Sequence, residues 1–130
     1  MTKKIMIVDD DPNILITVKN GLEETNNEFE VICAESGAQC FELLKNNQIP
    51  NLILLDIMMP EMNGWEVLNR LRENRNWNNI PIVFLTAKTD DFSKTFGSSL
   101  AMDYIEKPFE IGQLKHRIDN VLKKLNQKIF

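Results

Sequence analysis

The stretch Asn51-Leu52-Ile53-Leu54-Leu55-Asp56-Ile57-Met58-Met59-Pro60 decides how the rest of this chain is read. Four consecutive aliphatic residues, Leu52 to Leu55, match a strand buried on both faces, as in the middle of a parallel sheet. The strand runs into a carboxylate, Asp56. In open α/β sheets, ligands bind outside the carboxyl ends of the strands. Asp56 is therefore expected where chemistry is done. Taken alone it reads equally well as a solvated strand-end acid or a helix cap, and the flanking segments must decide.

Toward the N-terminus, Ile5 to Val8 is a first strand. Asp9-Asp10-Asp11-Pro12 follows, with Asp as N-cap and Pro at the first helical position, so a helix starts there. Ile14, Leu15, Val18 and Leu22 fall on one face of it. Asn26-Asn27 is turn material. Phe29 to Ala34 is a second strand, with Glu28 and Glu30 near its solvent-facing start. Ser36 caps a second helix in which Ala38, Phe41 and Leu44 share a face.

Beyond Asp56, the residues Pro60, Asn63 and Gly64 form a loop. A third helix carries Trp65, Leu68 and Leu71 as its stripe, with Val67 beside it. Polar Asn74 to Asn79 closes that helix. Ile80 to Leu85 is a fourth strand; Pro81 suits a strand's start rather than its middle. Thr86-Ala87-Lys88 lies at its end. Thr89 or Asp90 caps a fourth helix whose thin stripe is Phe92, Phe96 and Leu100, weakened by Gly97-Ser98-Ser99. Met102 to Glu106 is a short fifth strand and Lys107-Pro108 a loop. Ile111, Leu114, Ile118, Val121, Leu122 and Leu125 mark a fifth, amphipathic helix. Five strands alternating with five helices predict an α/β fold, a parallel sheet covered on both faces.

The 130 residues suit one domain over 1–130. The formal net charge is −4 and no basic patch stands out, which argues against direct nucleic-acid binding. No apolar run approaches the roughly 20 residues of a membrane span. Met1-Thr2-Lys3-Lys4 leads straight into a strand-like run without a signal-peptide pattern. Cys33 and Cys40 fit no metal-ligand spacing and read as small buried hydrophobes in a reducing compartment. The expected localisation is cytoplasmic.

Parallel strands put Asp9, Asp10, Asp56, Thr86 and Lys107 on one edge. Three carboxylates there are costly: at about 5 Å and an effective dielectric of about 20, each pair repels by roughly 3 kcal/mol. One lysine does not cancel that, whereas a divalent cation does. Hard oxygen ligands with few positions supplied by protein suit Mg²⁺, which shares its shell with water and phosphate oxygens. Lys107 and Thr86 can then bind phosphoryl oxygens, and Asp56 is a carboxylate nucleophile that forms an acyl phosphate.

With these residues assembled, the chain resembles the receiver domains of two-component response regulators. The matching stretches are Val8-Asp9-Asp10-Asp11-Pro12, Leu54-Leu55-Asp56-Ile57-Met58-Met59-Pro60, Met62-Asn63-Gly64, Leu85-Thr86-Ala87 and Asp103-Tyr104-Ile105-Glu106-Lys107-Pro108-Phe109. Together they cover essentially the whole chain. The resemblance implies a flavodoxin-like, doubly wound five-stranded sheet of order 2-1-3-4-5 with five helices. It implies phosphoryl transfer to Asp56 from the phosphohistidine of a sensor histidine kinase or phosphotransfer protein. It further implies Mg²⁺ held by Asp10 and Asp56, by Asp9 mostly through water, and by the Met58 backbone carbonyl. Thr86 and Lys107 would touch the phosphoryl oxygens, Tyr104 would be the aromatic switch, and the Lys107-Pro108 bond would be cis. The face made by helix 4, strand 5 and helix 5 would then signal to a downstream protein target or output domain, or form a phosphorylation-dependent homodimer.

On this reading the chain is a phosphoacceptor switch rather than an enzyme. The runner-up, a metal-dependent phosphohydrolase with an aspartyl-phosphate intermediate, usually has its nucleophile after the first strand and needs a cap, for which no insertion is long enough. A nucleotide-binding domain would need a Gly-rich phosphate loop, which is lacking. A receiver degenerated into an interaction module would not keep the whole set of site residues. Two features depart from the family pattern: Ala101-Met102 before Asp103-Tyr104, and Gly97-Ser98-Ser99. Met58 and Lys88 lie two positions past site residues, where side chains flank water's route to the phosphate. Apolar Met58 predicts slower self-hydrolysis than Asn at 58, measured as decay of the phosphorylated form.

Overall fold

A computed structural model describes residues 2–24, 28–87 and 103–128, with side chains through 125. Five parallel strands, β1 (Lys3–Val8), β2 (Phe29–Ala34), β3 (Leu52–Asp56), β4 (Ile82–Ala87) and β5 (Asp103–Lys107), form one sheet in the order β2-β1-β3-β4-β5. Four helices are described: α1 (Pro12–Glu23), α2 (Gly37–Lys45), α3 (Gly64–Glu73) and α4 (Ile111–Lys128). The helix expected around Phe92 to Leu100 lies outside the described residues. No helix among them is long and apolar enough to cross a membrane.

The central strand shows why an unbroken aliphatic run was informative. Leu52 and Leu54 point to one side of the sheet, with Leu15, Val18, Ile118 and Val121 of α1 and α4. Ile53 and Leu55 point to the other, with Cys40, Leu44, Val67, Leu68 and Leu71 of α2 and α3. A strand sandwiched between two helical layers has no wet face, so it carries no polar alternation.

Local chemistry starts each helix where a polar side chain takes up free backbone amides. The Asp11 carboxylate accepts from the Asn13 amide at 2.9 Å with Pro12 at the first position. Ser36 Oγ accepts from Gln39 at 3.1 Å. Asn63 and Glu66 form a reciprocal capping box at the start of α3. The sequence reading gave Asn63 only as a loop residue; the structure makes it the cap of α3.

The inward face of α2 differs from the expected one. Gly37, Cys40 and Leu44 are buried, Ala38 is exposed and Phe41 lies at the flank. Gly37 causes this. A Cβ there would meet Met62 Sδ at 2.7 Å and Val67 Cγ2 at 2.9 Å, so the helix packs tightly against Met62 and α3 along its glycine edge. In α3, Val67, Leu68 and Leu71 are buried and Trp65 is half-buried, tilted against Phe84 with ring centroids 4.7 Å apart. Strand β4 begins after Pro81 and continues through Thr86, and β5 runs to Lys107. Both therefore extend past the expected ends. Cys40 is buried as expected, whereas Cys33 is only half-buried.

Candidate functional site

Strand register brings the expected residues to one rim. Val8 lies beside Leu55, Asp56 beside Leu85, and Ala87 beside Lys107. Asp9, one residue past Val8, is thus level with Asp56. Thr86 stands one step further along, and Lys107 two. A lysine stem easily spans two steps of about 3.3 Å each, so Lys107 reaches back toward the acids.

Its ammonium donates to Asp9 Oδ2 at 2.7 Å and to Asp56 Oδ1 at 3.3 Å. The other oxygen of Asp9 accepts the Asp11 amide at 2.9 Å, tying the acid to the start of α1. Asp9 is 0% exposed and Asp56 5%. Asp10 is exposed. One carboxylate oxygen from each of these three residues lies within 4.8 Å of the others. Two buried acids thus share a single ammonium, with a third, exposed acid beside them.

The electrostatics follow from that imbalance. Burial, followed by the nearby charge of Asp9, pushes the Asp56 carboxyl up to about 6, against the pull of Lys107. For Lys107, burial disfavours the charge. The hydrogen bond to Asp9 and the two carboxylate charges more than offset it, so its pKa rises above the ordinary value. The lysine stays cationic, while Asp56 carries the strain of like charge. Three hard oxygens so close, one of them solvent-facing, are the donor set that a small divalent cation fits.

Thr86 is buried, and its hydroxyl donates to the Ala87 carbonyl at 3.2 Å. Strand alternation separates it from the acids. Asp56 follows the parity of Leu54, and Lys107 that of Ile105, both on the α1/α4 side. Thr86 follows Phe84 to the α2/α3 side, where half-buried Tyr104 also packs. Tyr104 is the strand partner of Phe84, two residues before Thr86. Met58 is 69% exposed just past Asp56. The Lys107-Pro108 peptide is cis. Lys88, Ala101-Met102 and Gly97-Ser98-Ser99 lie outside the described residues.

One supporting residue escaped the sequence reading, as did the placement of a second. Arg117 on α4 donates to both Asp103 oxygens, at 2.9 and 3.1 Å, and to the Tyr104 carbonyl at 3.0 Å. It clamps the start of β5 beside Tyr104, a pairing across 13 and 14 residues that no local pattern announces. Gly64 lies against the backbone of Asp56 and donates its amide to the Ile57 carbonyl at 2.9 Å. Asn63-Gly64 was visible, but its closeness to Asp56 was not.

Residues 5–119 match the family model described as the response regulator receiver domain. The chain is 35% identical over 125 residues to the alkaline phosphatase synthesis transcriptional regulatory protein PhoP of Bacillus subtilis, covering 95% of this chain and 50% of that protein. It is 37% identical over 126 residues to the response regulator ArlR of Staphylococcus saprophyticus, covering 96% and 54%. The chain thus spans about half the length of these curated relatives. A solved CheY-like receiver domain protein of Methanospirillum hungatei JF-1 superposes with a TM-score of 0.80 at 36% identity, covering 95% of this chain and 97% of that one.

Proposed function

The chain belongs to the response regulator receiver domain family of two-component signalling, and from that premise we propose that it is a Mg²⁺-dependent phosphoacceptor switch with Asp56 as the site of modification. The observation that carries this reading is the cluster of Asp9, Asp10 and Asp56 with Lys107 across it. Asp10 and Asp56 would hold the ion directly, Asp9 mostly through water, and the Met58 carbonyl would complete the protein's share. The bound ion would offset the negative charge that builds up around the transferred phosphoryl group.

The chain's own residues do the rest. An Asp56 oxygen attacks the phosphorus of a phosphohistidine, forming the aspartyl phosphate as the phosphorus–nitrogen bond breaks. Lys107 already bridges Asp9 and Asp56, so its ammonium can follow the new phosphoryl oxygens with little rearrangement. Thr86 supplies a hydroxyl one residue step away. Its movement toward the phosphate would vacate space on the α2/α3 side, where Tyr104 packs, and link the site to β5 and α4. A sensor kinase or phosphotransfer protein is the proposed donor. A downstream protein or output domain is the proposed reader.

The test is incubation with Mg²⁺ and a small acyl phosphate, followed by mass spectrometry. One phosphoryl group is expected on the unchanged protein and none on Asp56→Asn. No mass gain, or a gain that survives that substitution, would refute the reading. The metal is checked separately. Mg²⁺ should raise the melting temperature through preferential binding to the folded state. Asp10→Asn, at an exposed position that leaves the core intact, should weaken Mg²⁺ at least tenfold. An unchanged titration would remove Asp10 from the metal shell.

A further inference from the structure

A groove of about 690 Å³ runs along the seam between α2 and α3, away from the carboxylate rim. We propose that it binds a small amphipathic organic anion: an aromatic or branched apolar body bearing one carboxylate or sulfonate. The size falls within the roughly 300–1,000 Å³ typical of small-molecule sites. Phe41 and Trp77 provide the apolar surface, their rings 5.8 Å apart and tilted by 34°. Met62 bounds the groove, held close to α2 because Gly37 has no side chain to displace its sulfur.

Charge selects the ligand's sign. Lys45 enters from α2 and Arg70 from α3. Neither forms an ion pair with any described residue. Lys19, Lys107, Lys115 and Arg117 pair with acids and Arg72 donates to the carbonyls of Asn78 and Ile80, whereas Lys45 and Arg70 are two cations, unpaired among the described residues, brought to one groove. Glu42 is the one acid lining the groove. Two cations and one anion leave an excess of one positive charge, in a protein whose formal net charge is −4. A single anionic group neutralises that excess, and a second would face Glu42. Aromatic rings under the anion lower the local dielectric and strengthen its attraction to both cations. This surface shares no lining residue with the phosphoacceptor cluster, so it is a separate site.

The experiment is a titration of the unchanged protein with naphthoate, read by amide chemical shifts and by indole fluorescence. Saturable binding is expected, with shifts confined to α2, α3 and Trp77. Neutral naphthylmethanol and cationic naphthylmethylamine, of the same shape, should bind at least about tenfold more weakly. Lys45→Gln combined with Arg70→Gln should lower naphthoate affinity at least about tenfold at an unchanged melting temperature. Ala38→Phe, at an exposed position lining the groove, should fill it and abolish binding while leaving phosphorylation of Asp56 unchanged. The proposal is overturned by lack of saturation below about 1 mM, by equal binding of the neutral alcohol, or by shifts centred on Asp9, Asp56 and Lys107.

Discussion

In magnesium-free buffer at pH 7, Asp56→Asn should be more stable than the unchanged protein, by up to about 3 kcal/mol. The Asp56 carboxyl titrates near 6 when folded, against an ordinary value of 3.8. Burial and the charge of Asp9 make the folded chain hold its proton more tightly than the unfolded chain does. A raised carboxyl contributes stability that is fully present below its unfolded pKa and is lost as pH rises through its folded value. At neutral pH that contribution is gone, and the ionised, 5% exposed carboxylate costs the fold. Asparagine keeps the shape and an oxygen for Lys107, and it sheds the charge. The gap between the two proteins should therefore close as pH falls from about 6 toward 4. Denaturant midpoints at several pH values measure it. A variant less stable at pH 7, or a gap that ignores pH, would contradict the account. On the proposed Mg²⁺ site, added Mg²⁺ should narrow or reverse the order, because the ion would stabilise the intact carboxylate cluster and act less on the variant.

Gly64→Ala should destabilise the protein by at least about 3 kcal/mol, the upper range for overpacking, and slow phosphorylation of Asp56 as well. A Cβ at this position would sit 2.5 Å from the Asp56 carbonyl oxygen and 2.8 Å from Ile57 Cα. Both obstacles are backbone, so no rotamer change relieves them. Among the described residues no glycine has a positive φ, so the cost is one of contact and not of conformation. The strand end that must move is the one that carries Asp56, the proposed nucleophile. Gly112→Ala is the matched control. Nothing lies within 4 Å of a Cβ there, and in the first turn of α4 it should be neutral or stabilising by up to roughly 0.5 kcal/mol, less than in a helix interior. Urea unfolding and phosphorylation rates of the two variants test the contrast. A Gly64→Ala protein of ordinary stability and rate would mean that the loop behind Asp56 yields easily.

Much of the fold is legible in the amino-acid sequence. The runs Ile5–Val8, Leu52–Leu55 and Ile82–Leu85 are continuous because helices cover both sides of the sheet, and continuity itself reports burial. Asp11-Pro12 and Ser36 announce helix starts because capping uses only neighbouring atoms. The stripes of α1 and α4 were placed correctly for the same local reason. The face of α2 was not. Glycine carries no hydrophobic signal, so a helix that buries Gly37 against Met62 and Val67 looks rotated when judged by its large residues. Trp65 and Phe41 were drawn into stripes by their size, although each lies at a flank.

The candidate site divides along the same line. The sequence alone determined which residues end the strands, hence that Asp9, Asp10, Asp56, Thr86 and Lys107 share an edge, because parallel topology follows from alternating elements. Only the tertiary structure decided that Lys107 bridges Asp9 and Asp56 at 2.7 and 3.3 Å, that the Asp56 carboxyl titrates near 6, and that Gly64 abuts its backbone. Charge state and steric clearance depend on distances between segments up to 98 residues apart. Those distances are set by register and packing, which no single stretch of the chain encodes.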